Sequence, residues 1–182
     1  MRSVRWASED GSGLEHLEFD AQPEGFVVES VLAGDRFEGE YGLIYRVECD
    51  VHWRVTRVVM KLAGGGTLEL LGDTNGNWTD GSGAPRDDLK GCIDIDISAT
   101  PFTNTLPIRR LGLNKDERRV IRVVYIAVPA MTVEAVEQAY TCLEPDRLYR
   151  YEGIFRQFTA ELPVDEDGLV IDYPTLFRRV TN

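Results

Sequence analysis

The residues best suited to chemistry are two carboxylates, Asp94 and Asp96, in a segment where isoleucine alternates with polar residues. Residues two apart on a β-strand share a face, which would place these side chains about 6 to 7 Å apart. That separation is close to the one that paired glycosidase carboxylates need. The alternative is a solvated strand face, or an ion pair with Arg109 or Arg110. The sequence favours this alternative over acid and base catalysis.

A polar segment framed by two prolines follows these carboxylates. Pro101 and Pro107 each remove a backbone donor and bias the preceding residue to an extended conformation, so the sequence predicts a loop between them. Four polar side chains in this segment or directly beside it could bind a head group: Thr100, Thr103, Asn104 and Arg109. An arginine can hold a phosphate or carboxylate with two parallel hydrogen bonds. Together with Asp94 and Asp96, these residues are a candidate polar binding strip.

Trp78 is the one aromatic residue in a segment rich in glycine and aspartate, residues 72–90. Such a composition predicts a long loop around one short strand. An indole there could stack on a sugar ring or an acyl chain, or it could anchor the loop to the core. The sequence leaves both open, and Trp78 joins the candidate ligand-binding residues.

Motifs for other chemistries are missing from the sequence. It has two histidines and three scattered cysteines, without the spacing of a metal site. It also has no phosphate-binding loop, dinucleotide fingerprint or nucleophile elbow. We therefore expect no metal, no cofactor and no catalytic residue.

Composition and charge narrow the class of protein. The chain has 182 residues, of which 43% are hydrophobic and 28% charged, which is typical of one globular domain, here residues 1–182. A formal charge of −11 argues against nucleic acid as a partner. The start has no apolar signal segment, and the longest apolar run, residues 123–131, is too short to cross a bilayer. These features predict a cytoplasmic protein without integral membrane association, whose three cysteines are reduced.

The pattern of apolar residues predicts a mainly β protein. Residues 45–55 alternate between apolar and polar side chains, which predicts a long antiparallel strand. Residues 118–128 are rich in valine and isoleucine and predict a second long strand. Residues 58–62 and 67–71 flank three glycines and predict a hairpin. A helix is predicted over residues 133–143, where Thr132 would serve as the cap.

Four stretches carry a resemblance to a known family. They are GCIDIDISATPFTNTLPIRRL, YRVECDVHW, YRYEG and VDEDGLVIDYP, at residues 91–111, 45–53, 149–153 and 164–174. With them the chain resembles the bacterial glycolipid-binding protein family over nearly its whole length. The resemblance implies an antiparallel, partly open β-barrel with one main covering helix, similar to bacterial lipoprotein carriers. It also implies an amphipathic ligand such as a glycolipid.

The sequence therefore predicts a non-catalytic protein that holds an amphipathic molecule in a concave β-barrel pocket. One alternative is a hydrolase-type enzyme that uses Asp94 or Asp96 on a similar barrel. Another is an oligomeric interaction protein whose sheet face forms the interface. An apolar cavity would favour the first, a tight polar cleft the second, and a broad exposed apolar patch the third.

Overall fold

The computed structural model describes residues 1–36 and 39–180. Within them the chain forms two β-sheets, three short 3-10 turns and a single α-helix, α1 (Thr105–Leu111). The strands are β1 (Arg2–Ser8), β2 (Leu14–Gln22), β3 (Gly25–Arg36), β4 (Gly39–Asp50), β5 (Val55–Leu62), β6 (Thr67–Gly72), β7 (Trp78–Asp80), β8 (Asp94–Ile97), β9 (Arg118–Ala127), β10 (Thr132–Glu144), β11 (Leu148–Gly153), β12 (Phe158–Pro163), β13 (Asp172–Tyr173) and β14 (Phe177–Arg179).

The strands form a nine-stranded sheet, in the order β13-β14-β1-β2-β3-β4-β5-β6-β7, and a five-stranded sheet, in the order β12-β11-β10-β9-β8. Within each sheet, strands that follow one another in sequence pair as antiparallel neighbours, except that β8 and β9 run parallel. The chain passes from one sheet to the other between β7 and β8 and between β12 and β13. Side chains of both sheets, such as Tyr45 and Ile126, pack in one continuous core. The predicted mainly β, partly open architecture is confirmed, and neither sheet is closed on itself.

Several predicted strands are confirmed, including the hairpin of β5 and β6 and the long strand β9. The prediction of one strand over residues 45–55 is wrong in its second half, because β4 ends at Asp50. The Asp50 carboxylate accepts hydrogen bonds from the backbone N–H groups of His52 and Arg54, 2.9 Å each. Trp53 in this turn has a left-handed φ of 64°. The alternating pattern therefore runs through a turn into β5.

The predicted helix over residues 133–143 is also wrong, because this segment is strand β10. Its residues pair with β9 on one side and β11 on the other. The apolar spacing of Val133, Val136 and Tyr140 favours a helix, but as a strand the segment forms backbone hydrogen bonds to two neighbouring strands. The second arrangement is the more stable one in this fold. Strand preference depends on such neighbours more than on the local sequence.

The helix of this fold lies instead in the segment predicted as a proline-framed loop. Pro107 is in the first turn of α1, where a missing N–H costs no helical hydrogen bond. The helix ends at Leu111 and is capped by Gly112, whose φ of 55° is left-handed. In the described part of the chain, no helix has the length and apolar composition required to cross a membrane.

The three cysteines are free and buried, which confirms the prediction of reduced thiols. Cys142 lies on β10 rather than on the predicted helix. Burial raises the pKa of the Cys92 thiol to about 11, so it remains protonated at neutral pH.

The hairpin between β2 and β3 depends on a glycine. Gly25 has a φ of 152°, and a Cβ added there would overlap the carbonyl oxygen of Cys49 on the adjacent strand. We predict that Gly25→Ala lowers the free energy of unfolding by more than about 3 kcal/mol, because backbone must move to relieve the clash.

The control for this prediction is Gly64→Ala. Gly64 also has a positive φ, 69°, but open space where the Cβ would be. The free energy of unfolding of this variant should fall by only about 1 to 2 kcal/mol, the cost of placing alanine in the left-handed conformation. Urea unfolding of both proteins measures the difference, and equal losses would contradict the proposed clash.

Candidate functional site

An open cleft of about 290 Å³ lies at the end of the five-stranded sheet. Its walls come from the ends of β8 and β11, the turn at residues 154–157, and the hairpin of β13 and β14. Six aromatic side chains line it: Tyr125, Tyr151, Phe155, Phe158, Tyr173 and Phe177. We call this feature the aromatic cleft.

The rings of the aromatic cleft contact one another in two groups. The rings of Tyr125 and Phe155 have centroids 5.1 Å apart on one wall. On the other wall, Tyr173 lies 6.1 Å from both Tyr151 and Phe158 and 6.3 Å from Phe177. Tilted and edge-to-face contacts of this kind hold rings in fixed orientations. The cleft therefore presents preformed apolar walls.

A cation lies at the rim of the cleft. The guanidinium carbon of Arg156 is 4.8 Å from the ring centroid of Tyr125 and 5.2 Å from that of Phe155. Cation–π contact favours this position, while the guanidinium keeps its capacity for hydrogen bonds in the ring plane.

The floor of the cleft is polar and comes from the segment that the sequence singled out. Asp96, Thr100 and Asn104 all line it. Gln138 Nε2 donates to Asp96 Oδ2 at 2.5 Å, and Thr103 Oγ1 lies 3.4 Å from Asp96 Oδ1. Gln138 and Thr103 thus hold the Asp96 carboxylate in place. Thr103 therefore contributes to the cleft through Asp96.

Asn104 is fixed from two sides. The hydroxyl of Tyr140 donates to Asn104 Oδ1 at 2.8 Å, and Asn104 Nδ2 donates to the carbonyl oxygen of Pro101 at 3.1 Å. An amide nitrogen carries two protons, so a second N–H remains for another acceptor. The Asn104 amide is therefore oriented before any ligand binds.

Thr100 connects the cleft to a buried carboxyl group in the nine-stranded sheet. Its hydroxyl lies 3.3 Å from the hydroxyl of Tyr45, which donates to Glu15 Oε1 at 2.6 Å. Ser30 Oγ also donates to Glu15 Oε1, at 2.7 Å. Glu15 Oε2 is buried without a hydrogen-bond partner among the described residues. Burial raises the pKa of Glu15 above its ordinary value of 4.5, although these hydrogen bonds oppose the rise.

Asp94 does not line the aromatic cleft, and it is paired with a cation. Its side chain is 0% exposed, and Arg110 donates to its two oxygens at 2.9 and 2.6 Å. Burial raises the pKa of the Asp94 carboxyl, and the guanidinium of Arg110 acts in the opposite direction. The sequence offered an ion pair with Arg109 or Arg110 as the alternative to catalysis, and Asp94 forms that pair with Arg110. Asp94 and Asp96 do not face a common open space as an acid and base would.

The remaining two candidates lie away from the cleft. Arg109 is exposed, with its guanidinium carbon 5.4 Å from the Trp53 ring centroid. It borders a separate depression of about 210 Å³ that also contains Asp146 and Asp165. Trp78 is 3% exposed, and its Nε1 donates to the carbonyl oxygen of Cys92 at 2.8 Å. Trp78 anchors its loop to the core and has no face open to a ligand.

The walls of the cleft were missed by sequence reasoning. They come from four separate regions of the chain, around residues 125, 151–158, 173 and 177. One local signal existed: Tyr149, Tyr151, Phe155 and Phe158 fall within ten residues. Among the described residues, no three side chains of histidine, cysteine, aspartate or glutamate come together as metal ligands.

The buried pair of Asp94 and Arg110 gives a first prediction for this site. Arg110→Ala would leave the Asp94 carboxylate buried without its partner, and removing one partner of a buried pair costs about 3 to 5 kcal/mol. We expect a loss of that size in the free energy of unfolding, measured in urea. Arg118→Ala is the control, because its pair with Glu152 is exposed at 2.8 Å and should matter little. Similar losses in both variants would contradict the assignment.

The buried Glu15 gives a prediction about pH. Because its pKa is raised on folding, the folded protein holds a proton that the unfolded chain loses above its ordinary pKa of 4.5. This contribution to stability is complete below that value and is lost as the pH rises through the folded-state pKa. The glutamine side chain of Glu15→Gln cannot ionise. The loss of unfolding free energy that Glu15 causes as the pH rises should therefore be absent from this variant.

Unfolding free energies of the wild type and Glu15→Gln, measured from about pH 4 to about pH 9, test this. Glu134→Gln serves as the control, since Glu134 is exposed on β10 and should leave the pH profile unchanged. If Glu15→Gln keeps the wild-type slope, the carboxyl group has no raised pKa.

A family model described as "Putative glycolipid-binding" matches residues 3–179. A crystal structure of a DUF1089 family protein from Pseudomonas aeruginosa is similar with a TM-score of 0.83 and 41% sequence identity, covering 93% of this chain and 92% of that one. No protein with curated annotation matches significantly. Since the match spans nearly all of the sequence, the chain belongs to the family that this model describes.

Proposed function

We propose that this chain binds an amphipathic molecule, a glycolipid, without changing it chemically, and that the head group enters the aromatic cleft. The observation that carries the proposal is the combination of six ring-bearing side chains around a floor of Asp96, Thr100 and Asn104. The family name points to the same class of ligand. The proposal takes residues 1–182 as one binding domain.

The chemistry of the cleft suits a sugar. Aromatic faces pack against the C–H faces of a sugar ring and against methylene groups. A carboxylate accepts several hydrogen bonds, so Asp96 can receive a sugar hydroxyl in addition to Gln138. The second N–H of Asn104 can donate to a ring or hydroxyl oxygen. Arg156 at the rim is suited to a phosphate or carboxylate on the same ligand.

The size of the cleft limits how much of the ligand it holds. Its volume of about 290 Å³ lies at the lower end of the roughly 300–1,000 Å³ typical of small-molecule sites. The space between the sheets is filled by core side chains such as Phe102 and Leu106. The proposed ligand therefore places its head group and the first part of its tail in the cleft, and the rest of the tail leaves through the open side.

The positions of the carboxylates support binding over hydrolysis. A retaining or inverting glycosidase needs two carboxyl groups on either side of one bond. Asp94 is engaged by Arg110 and has no exposed surface, so Asp96 has no carboxyl partner of this kind from its own strand.

The direct test has two stages. Native mass spectrometry of protein purified from its own host should detect a retained lipid with a sugar head group. Calorimetric titration with octyl glucoside, kept below its micelle concentration, should then give a measurable affinity for the wild type.

Two variants test whether octyl glucoside binds in the aromatic cleft. Asp96→Asn should weaken octyl glucoside binding by about 1 to 3 kcal/mol, the usual cost of losing a charged hydrogen-bond acceptor. Phe155→Ala should have an effect of similar size, because it removes half of one wall. Arg109→Ala is the control, since Arg109 is exposed and lies outside the cleft. Unchanged affinity in both cleft variants, with normal thermal melts, would reject the proposed site.

A further inference from the structure

A narrow crevice lies beside the aromatic cleft, and we call it the Glu15 crevice. Its lining includes Trp6, Glu15, Leu32, Tyr41, Ala99 and Phe177. Phe177 also lines the aromatic cleft, and Ala99 directly precedes Thr100 of the cleft floor. The cleft and the crevice therefore share Phe177 as a wall and meet at residues 99–100.

The carboxyl group of Glu15 has hydrogen-bond donors on one oxygen only. The residue is 3% exposed, and its Oε1 accepts hydrogen bonds from Tyr45 at 2.6 Å and from Ser30 at 2.7 Å. Oε2 is buried and has no hydrogen-bond partner among the described residues. A carboxylate carries its negative charge on both oxygens, and each of them can accept hydrogen bonds. Ionised Glu15 therefore holds a charged oxygen in the interior without a donor, which is costly.

The surroundings of Glu15 supply no compensating charge. Its titratable neighbours are Tyr41 and Tyr45 on β4, and burial raises the pKa of Tyr45 well above its ordinary range. Arg179 contacts the Trp6 ring, 5.5 Å from its centroid, and is paired with Asp165. Among the described residues that line the crevice, Glu15 is the one carboxyl group and none is a cation. The other elements around Glu15 contribute uncharged side chains: Trp6, Ser30, Leu32, Thr100 and Phe177.

We propose that Glu15 is a positioning residue for the aromatic cleft, which binds its ligand more tightly when Glu15 is protonated than when it is ionised. This inference rests on the proposed function, because it concerns the affinity of the same cleft. Ionisation favours any movement that allows water to donate a hydrogen bond to Oε2, and protonation removes that need. The crevice is the opening through which such water reaches the carboxyl group.

Phe177 is the part of the crevice wall that lies on the shortest strand. Trp6, Glu15 and Leu32 lie on β1, β2 and β3, which are central strands of the nine-stranded sheet. Phe177 lies on β14, a strand of three residues whose outer neighbour, β13, has two. Short strands near a sheet edge open at a lower free energy than central ones. Widening of the crevice therefore displaces Phe177 before it displaces the other walls.

Displacement of Phe177 changes the aromatic cleft directly. Its ring lies 6.3 Å from Tyr173, which is 6.1 Å from both Tyr151 and Phe158. The cleft floor contacts the same network, because the Thr100 hydroxyl lies 3.3 Å from the Tyr45 hydroxyl. The ligand therefore binds best to the arrangement that protonated Glu15 stabilises. By linkage, the bound ligand increases the affinity of Glu15 for its proton.

The sign of the pH dependence follows from this linkage. Burial raises the pKa of the Glu15 carboxyl above its ordinary value of 4.5, so the folded protein keeps this proton to a higher pH than an exposed glutamate would. Ligand affinity is complete below the folded-state pKa and falls as the pH rises through it.

Calorimetric titration with octyl glucoside, kept below its micelle concentration, tests the proposal from about pH 5 to about pH 9. The Kd of the wild type should rise by at least about fivefold over this range, the lower end of typical coupling between sites. Glu15→Gln should lose this rise, whereas Glu134→Gln, an exposed glutamate on β10, should keep it. Any pH dependence due to Asp96 is present in all three proteins, so their difference reports Glu15.

Tyr45→Phe separates a proton-linked role of Glu15 from a structural one. The Tyr45 hydroxyl donates to Glu15 and favours the ionised form, so its removal should raise the pKa of Glu15 further. The pH at which the Kd rises should then move upward, which a purely structural role would not produce. Thermal melts check that each variant is folded.

The outcomes distinguish this inference from the proposed function. Octyl glucoside binding with the same Kd at every pH would overturn the inference and leave the proposed function intact. A rise in Kd that persists in Glu15→Gln, or a midpoint that Tyr45→Phe does not move, would also overturn it. Absence of octyl glucoside binding at every pH would reject the proposed function and this inference together.

Discussion

The segment from Asp94 to Leu111 begins as β8 of the five-stranded sheet and then forms side-chain hydrogen bonds to both sheets. The Thr100 hydroxyl is hydrogen-bonded to the hydroxyl of Tyr45 in the nine-stranded sheet. Asn104 accepts a hydrogen bond from the hydroxyl of Tyr140 in the five-stranded sheet. Apolar contacts alone would allow this segment to shift, because they have little directional preference. The hydrogen bonds are directional and buried, so they fix its position. The polar floor of the aromatic cleft is a consequence of that placement.

Burial of polar groups in this segment has a cost that its partners offset. Asp94 is stabilised by two bonds from Arg110, and Asp96 by Gln138 and Thr103. Two carboxylates of one strand thus have different surroundings, one in the interior and one at the floor of an open cleft. The difference arises because α1 brings Arg110 to Asp94, while the long strand β10 brings Gln138 to Asp96.

Apolar rings and hydrogen-bonding groups are combined in the aromatic cleft. The rings line a concave, preformed surface close to hydrogen-bonding groups. Such a surface suits a small molecule with both polar and apolar parts.

The sequence by itself determined the strand-rich class, the buried thiols and the segment that supplies the cleft floor. Asp96, Thr100 and Asn104 are near one another in the chain, so their proximity needed only local reasoning. Tertiary structure decided the rest. The helical spacing of residues 133–143 yielded to pairing with two neighbouring strands, and α1 formed where prolines predicted a loop. Because residues 109 and 110 lie on a helix, Arg110 turns towards Asp94 and Arg109 turns outward. The aromatic walls come from strands distant in sequence, so only the packing of those strands could bring them together.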